Sequence, residues 1–163
     1  MLLRDAVAHP ERRLSELSFL TEAERERVLV EWNDTASGSS RAACVHELVA
    51  AQAARTPDAV AVVFEEAKLS YAELDRRANQ LAHHLRSLGV RAGDRVGLCV
   101  ERSLELGVGV LGILKAGAAY VPLDPDYPAE RLAFMLEDAG VPVVVTQATV
   151  APGLPAEPPA AAC

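Results

Sequence analysis

Gly107-Val108-Gly109-Val110-Leu111-Gly112 has the G-x-G-x-x-G spacing with which backbone amides cradle a dinucleotide pyrophosphate. Asp124 follows where a ribose-binding acid would sit. That chemistry needs the first glycine in the turn directly after a strand. Here the six residues 101–106 intervene, and Ser103 is placed to cap a helix before the glycines begin. The glycines are therefore expected inside a helix, where a missing Cβ permits close packing on a sheet.

The other reactive residue types carry equally plain readings. His83 and His84 are adjacent on a long helical pattern. Their side chains point about 100° apart, so one metal cannot be chelated from a single face. Asp124 and Asp126 lie in Leu123-Asp124-Pro125-Asp126-Tyr127-Pro128, where two prolines and a following helix favour a turn with N-terminal capping. Lys115 has no phosphate loop leading to it and falls near the C-terminal end of a helix, where a cation offsets the macrodipole. No G-x-S-x-G elbow, H-E-x-x-H pair or C-x-x-C pair occurs. No residue of the chain is assigned a catalytic, cofactor-binding or metal-ligating role.

The elements that must carry these residues alternate. Residues 22–32 form a helix opened by the capping box Thr21-Glu22-Ala23-Glu24, with Val28, Leu29 and Trp32 as a narrow apolar stripe. The polar run 33–40 reads as a linker, and the charged first forty residues as an appendage. Val45, Leu48, Val49 and Gln52 share one helical face, with Pro57 beyond. Residues 59–64 are a continuous β-branched run suited to a strand covered on both faces.

Ser70-Tyr71-Ala72-Glu73 is a second capping box, and it opens the longest helix. The inward stripe of that helix is Leu74, Ala78, Leu81, Leu85 and Leu88, with Gly89 as its stop. Strands at 95–100, 119–123 and 143–146 then alternate with helices from Ser103 to Gly117 and over 129–139. Pro128 is expected at the first position of the latter, and Gly140 just past its end. The expected fold class is α/β, a partial parallel sheet with crossover helices. Residues 1–41 form a helical linker segment and 42–150 the α/β portion. Residues 151–163, with four prolines and five alanines, form a tail without structure.

Composition excludes several function classes. Of the 163 residues 50% are hydrophobic, 24% charged and 4% aromatic, so the chain is globular with a core of Ala, Val and Leu. A net charge of −7 repels a phosphate backbone and disfavours nucleic-acid binding. Cys44, Cys99 and Cys163 are too few and too scattered for a disulfide framework and read as reduced thiols. Met1-Leu2-Leu3 meets Arg4 and Asp5 with no hydrophobic region. Residues 106–123 are apolar except Lys115, whose insertion at a bilayer centre costs about 2.5–3.5 kcal/mol. A cytoplasmic chain that does not engage a membrane is expected.

Lined up in order, the segments resemble a known family. Leu69-Ser70-Tyr71-Ala72-Glu73-Leu74 is similar to the first core motif of nonribosomal peptide synthetase adenylation domains. Leu114-Lys115-Ala116-Gly117-Ala118-Ala119-Tyr120-Val121-Pro122-Leu123-Asp124 is similar to the second. Asp75-Arg76-Arg77-Ala78-Asn79-Gln80-Leu81-Ala82 continues the first in the family's manner. Leu20-Thr21-Glu22-Ala23-Glu24 and Glu31-Trp32-Asn33-Asp34-Thr35 resemble the segment joining a condensation to an adenylation domain. The likeness runs from about Leu14 to Gln147.

The resemblance implies the acyl-adenylate-forming fold. It also implies that a complete domain uses Mg-ATP to convert an amino acid to an aminoacyl adenylate, then loads the phosphopantetheine thiol of a carrier domain. Condensation and carrier domains are the implied partners, and ATP, Mg and phosphopantetheine the implied cofactors, none bound by this chain. The family's glycine- and Ser/Thr-rich phosphate loop is expected downstream of Thr146, and the Pro/Ala tail stands there instead. The residues that hold the substrate amino group and the ribose, and the lysine of the small C-terminal subdomain, have no counterpart. Lys115 and Tyr120 take scaffold duties from the second motif. The reading is the N-terminal portion of an adenylation domain that alone does no chemistry. Two other classes stay open: a non-catalytic module docking on a synthetase partner, and a dinucleotide binder through Gly107 to Gly112.

Overall fold

The computed structural model describes residues 2–36, 44–155 and 160–162. The chain divides into two compact units, Met1–Ala42 and Ala43–Cys163. Residues 37–40 of the polar linker, 156–159 of the tail and Cys163 lie outside the described residues.

The first unit is helical. Its helix α1, Leu2–Ala8, has no counterpart among the expected elements. Asp5 explains what it does: its carboxylate accepts from the Ser18 amide at 2.8 Å and faces Arg12 at 3.5 Å. Helix α2, Glu22–Leu29, starts at the expected capping box, with the Glu24 amide donating to Thr21 Oγ1 and the Thr21 amide to Glu24 Oε2. It ends three residues short of Trp32, which sits in a separate 3-10 turn, Glu31–Asn33. The Asn33 side chain is the reason: its amide nitrogen donates to the Val28 and Leu29 carbonyls and closes the helix.

In the second unit, α3 (Val45–Arg55) precedes an antiparallel hairpin of β1 (Val60–Phe64) and β2 (Ala67–Ser70). The expected face of α3 is rotated: Val45 and Leu48 are exposed, while Val49 and Ala53 turn inward. Strand β1 also departs from expectation. It belongs to the hairpin rather than to a parallel sheet, and Val60, Val63 and Phe64 face solvent. An apolar run alone does not report how many faces are covered.

Helix α4, Tyr71–Ser87, buries Leu74, Ala78, Ala82 and Leu85. Ala82 is buried where Leu81 was expected, Leu81 is only partly buried, and Leu88 at the end of the expected stripe is exposed. The parallel sheet follows: β3 (Arg95–Cys99), α5 (Leu104–Ala116), β4 (Ala119–Pro122), α6 (Ala129–Asp138), β5 (Val143–Thr146) and β6 (Ala160–Ala162). Their spatial order is β4-β3-β5-β6. Pro128 is the N-cap of α6 rather than its first residue. Gly117 closes α5 at φ 90°.

Alternation along β3 and β5 sorts the core into two faces. Val96, Leu98, Val100, Val143 and Val145 pack with Leu85 and Ala82 of α4 and with Ile113 and Ala116 of α5. Cys99 and Val144 point the other way, onto Leu132 and Leu136 of α6. A Cβ at Gly97 would stand 3.1 Å from both Leu123 and Val144 side chains, so this layer is tightly closed over the glycine. Both crossover helices end under an arginine from another element. Arg86 donates to the Lys115 carbonyl at 2.5 Å, and Arg95 to the Ala139 carbonyl at 2.8 Å.

The stretch from Ala151, expected to lack structure, begins as a 3-10 turn, Ala151–Gly153, and buries Leu154 in the α6 layer. No described helix is long and apolar enough to cross a membrane.

Candidate functional site

The carboxyl ends of β3, β4 and β5 share one edge of the sheet, and the loops leaving them frame an open cleft of about 1090 Å³. Val100 and Arg102 line it from the β3 end, and Tyr120, Pro122, Asp124 and Tyr127 from the β4 side. Strand β4 is an edge strand, which leaves Tyr120 41% exposed. Asp124 and Asp126 lie in a turn, as expected. Asp124 Oδ1 accepts from the Asp126 amide at 3.0 Å, and its carbonyl accepts from the Tyr127 amide at 3.1 Å. Neither carboxylate caps α6, which carries no side-chain cap hydrogen bond.

Electrostatics at this edge are mild. Burial pushes the Cys99 thiol up, helped by the Asp124 charge, so it stays protonated and unreactive. The Arg131 guanidinium lies 4.7 Å from the Tyr127 ring centroid and fixes that ring at the rim. Among the described residues, no three His, Cys, Asp or Glu side chains converge to hold a metal ion. His83 and His84 lie on the exposed side of α4.

The three glycines lie within α5, and two of them, Gly109 and Gly112, are packing residues. A Cβ at Gly109 would meet Leu98 of β3 at 2.6 Å. One at Gly112 would meet Leu81 of α4 at 2.6–2.9 Å, so this glycine serves helix-to-helix rather than helix-to-sheet contact. Gly107 has ordinary clearance, with the Val62 side chain 3.5 Å away. Ser103 is the N-cap of α5 in position but not in chemistry, since its hydroxyl makes no cap hydrogen bond. It donates to the Glu101 carbonyl at 3.2 Å and accepts from Gln147.

Lys115 does more than offset a helix dipole. Its Nζ donates to Asp75 Oδ1 at 2.6 Å and to Asn79 Oδ1 at 2.7 Å, and the side chain is 10% exposed. Asn79 in turn donates to Asp75 Oδ2 at 2.9 Å. The polar pair four residues apart on α4, off its apolar stripe, was the available signal for a charged partner. Ser70 forms half of its expected capping box. Its Oγ accepts from the Glu73 amide at 3.3 Å, but the Glu73 carboxylate turns away to Arg76 and Arg77. Those two guanidinium groups hold Glu73 at about 2.

The two motif segments thus meet as one body, α4 locked on α5 beneath a parallel sheet. The family described as AMP-binding enzyme matches residues 49–162. The chain belongs to that family. Among AMP-binding relatives it is 52% identical over 155 residues to a linear gramicidin synthase of Brevibacillus parabrevis, a match that covers 95% of this chain and 2% of the synthase. Gramicidin S synthase 2 of Brevibacillus brevis is 47% identical over 146 residues, 90% of this chain and 3% of that synthase.

Solved AMP-binding structures agree. The nonribosomal peptide synthetase FmoA3 in its AMPPNP-bound form superposes with a TM-score of 0.78 at 37% identity, covering 99% of this chain and 18% of that one. The chain thus spans a small fraction of the curated relatives it matches, and it is similar to the N-terminal part of their adenylation domains.

Proposed function

We propose that this chain forms the amino-terminal scaffold of an amino-acid adenylation domain. In the complete domain an amino acid reacts with Mg-ATP to give an aminoacyl adenylate and pyrophosphate. The aminoacyl group then passes to the phosphopantetheine thiol of a carrier domain, with a condensation domain as the other neighbour and the cytoplasm as the setting. The observation that carries the reading is the Lys115 ammonium seated on Asp75 and Asn79, because it joins the two motif segments through structure rather than through a reacting centre.

The residues lining the cleft do not fit a triphosphate. Arg102 is the one cation among those lining the cleft, and Glu101, Asp124 and Asp126 stand beside it. The test is amino-acid-dependent exchange of labelled pyrophosphate into ATP, run on the purified chain with each proteinogenic amino acid. No exchange above the protein-free blank is expected. Saturable exchange with any one amino acid defeats the proposal.

A further inference from the structure

Open α/β sheets take ligands where adjacent strands send their chains in opposite directions, beyond the strands' carboxyl ends. In this sheet the position lies between β3 and β5: β3 leads through α5 to β4 on one side, and α6 returns the chain to β5 on the other. A side chain spans it. Gln147, the first residue past β5, accepts from the Glu101 amide through Oε1 at 2.9 Å and donates through Nε2 to Ser103 Oγ at 3.2 Å. The Ser103 hydroxyl donates its own proton to the Glu101 carbonyl at 3.2 Å, so both ends of the carboxamide are used. The Gln147 carbonyl accepts from the Val150 and Ala151 amides, each at 2.9 Å, and starts the turn that brings Val150 and Leu154 into the core.

We propose that Gln147 is a latch: it ties the loop after β3 to the end of β5, holds Glu101-Arg102-Ser103 as a fixed rim of the open cleft, and so withholds the Glu101 amide from a nucleotide phosphate at that position. The arrangement diverts Ser103 from the α5 amides it would otherwise cap, so the loop is held across the sheet at the expense of the helix end. The inference does not depend on the proposed adenylation role, and it holds or fails whichever way pyrophosphate exchange turns out.

Hydrogen exchange on the 163-residue chain tests it. In Gln147→Ala the Glu101 amide is expected to exchange about tenfold faster while the Leu98 and Val144 amides stay within about twofold of the unmodified chain. Unchanged exchange at Glu101, or equal acceleration at all three, overturns the latch. Gln147→Glu retains the acceptor for Glu101 but not the donor for Ser103, and its Glu101 rate is expected between the other two. A rate equal to that of the alanine variant counts against the proposal. A second measurement needs no variant: titration of NAD or ATP into the unmodified chain, followed at the Glu101, Ser103 and Gln147 resonances. They are expected to stay in place, and a saturable shift at all three overturns the proposal.

Discussion

Lys115 Nζ stands 2.6 Å from Asp75 Oδ1, and the pair bridges 40 residues of sequence between α4 and α5. Side-chain exposures of 10% and 24% mean that solvent screens the pair only partly. Removing one partner leaves the other charge half-desolvated, which costs more than the intact pair contributes. Lys115→Met should lose about 2 kcal/mol, below the ~3–5 kcal/mol typical of fully buried pairs. A urea-denaturation cycle with Asp75→Asn should give a coupling of about 1 kcal/mol or more. Strict additivity of the two single changes would show that the contact carries no energy.

The glycines of α5 should rank by what their new Cβ would strike. Gly112→Ala drives a methyl into the Leu81 side chain down to its Cβ at 2.9 Å, and should cost about 1–3 kcal/mol. Gly109→Ala meets only the outer end of Leu98 closely and should cost less. Gly107→Ala has room and gains helix propensity, so it should be neutral or stabilising by up to about 1 kcal/mol. Thermal melts of the three variants check the order. Leu81→Ala removes the Cγ and Cδ2 contacts but keeps the Cβ, so it should relieve the first in part and leave the other two unrelieved.

Glu73 predicts an acid limb. Its carboxyl lies at about 2 instead of the ordinary 4.5, first because of the Arg76 hydrogen bond and then that from Arg77. A depressed folded value contributes stability above pH 4.5, and that contribution drains away as pH falls toward 2. A carboxyl-carbon NMR titration should find the low midpoint, and Glu73→Gln should remove its share of the acid dependence. A midpoint near the ordinary value would mean that the arginine fork does not persist in solution.

Thiol chemistry should separate two cysteines. Cys44 is exposed and should alkylate readily with iodoacetamide at about pH 8, whereas buried Cys99 should react only after unfolding. Peptide mapping after a short pulse reads both sites. Comparable labelling of the two in native buffer would contradict the packing of β3 against α6.

Caps and glycine stops were readable from neighbouring residues, since such signals act over one turn of chain. Thr21 with Glu24, and Gly89 and Gly140 at positive φ, stand where their spacing put them. The run 143–146 was legible as a strand from its four consecutive β-branched residues, and β5 is buried along its whole length. The fold class and the family likeness were legible too, the first from alternation and the second from motif order.

Tertiary structure decided what depends on partners far along the chain. Whether an apolar run is a core strand or half of a hairpin depends on which surfaces arrive against it, so 59–64 and 143–146 read alike yet end in different environments. Ser103 left its helix for Gln147 because a hydrogen bond across 44 residues competes with one across three, and no local pattern records that contest. Lys115 found Asp75 for the same reason: local sequence sets which groups face outward on each helix, and only the packing of α4 on α5 brings them within reach.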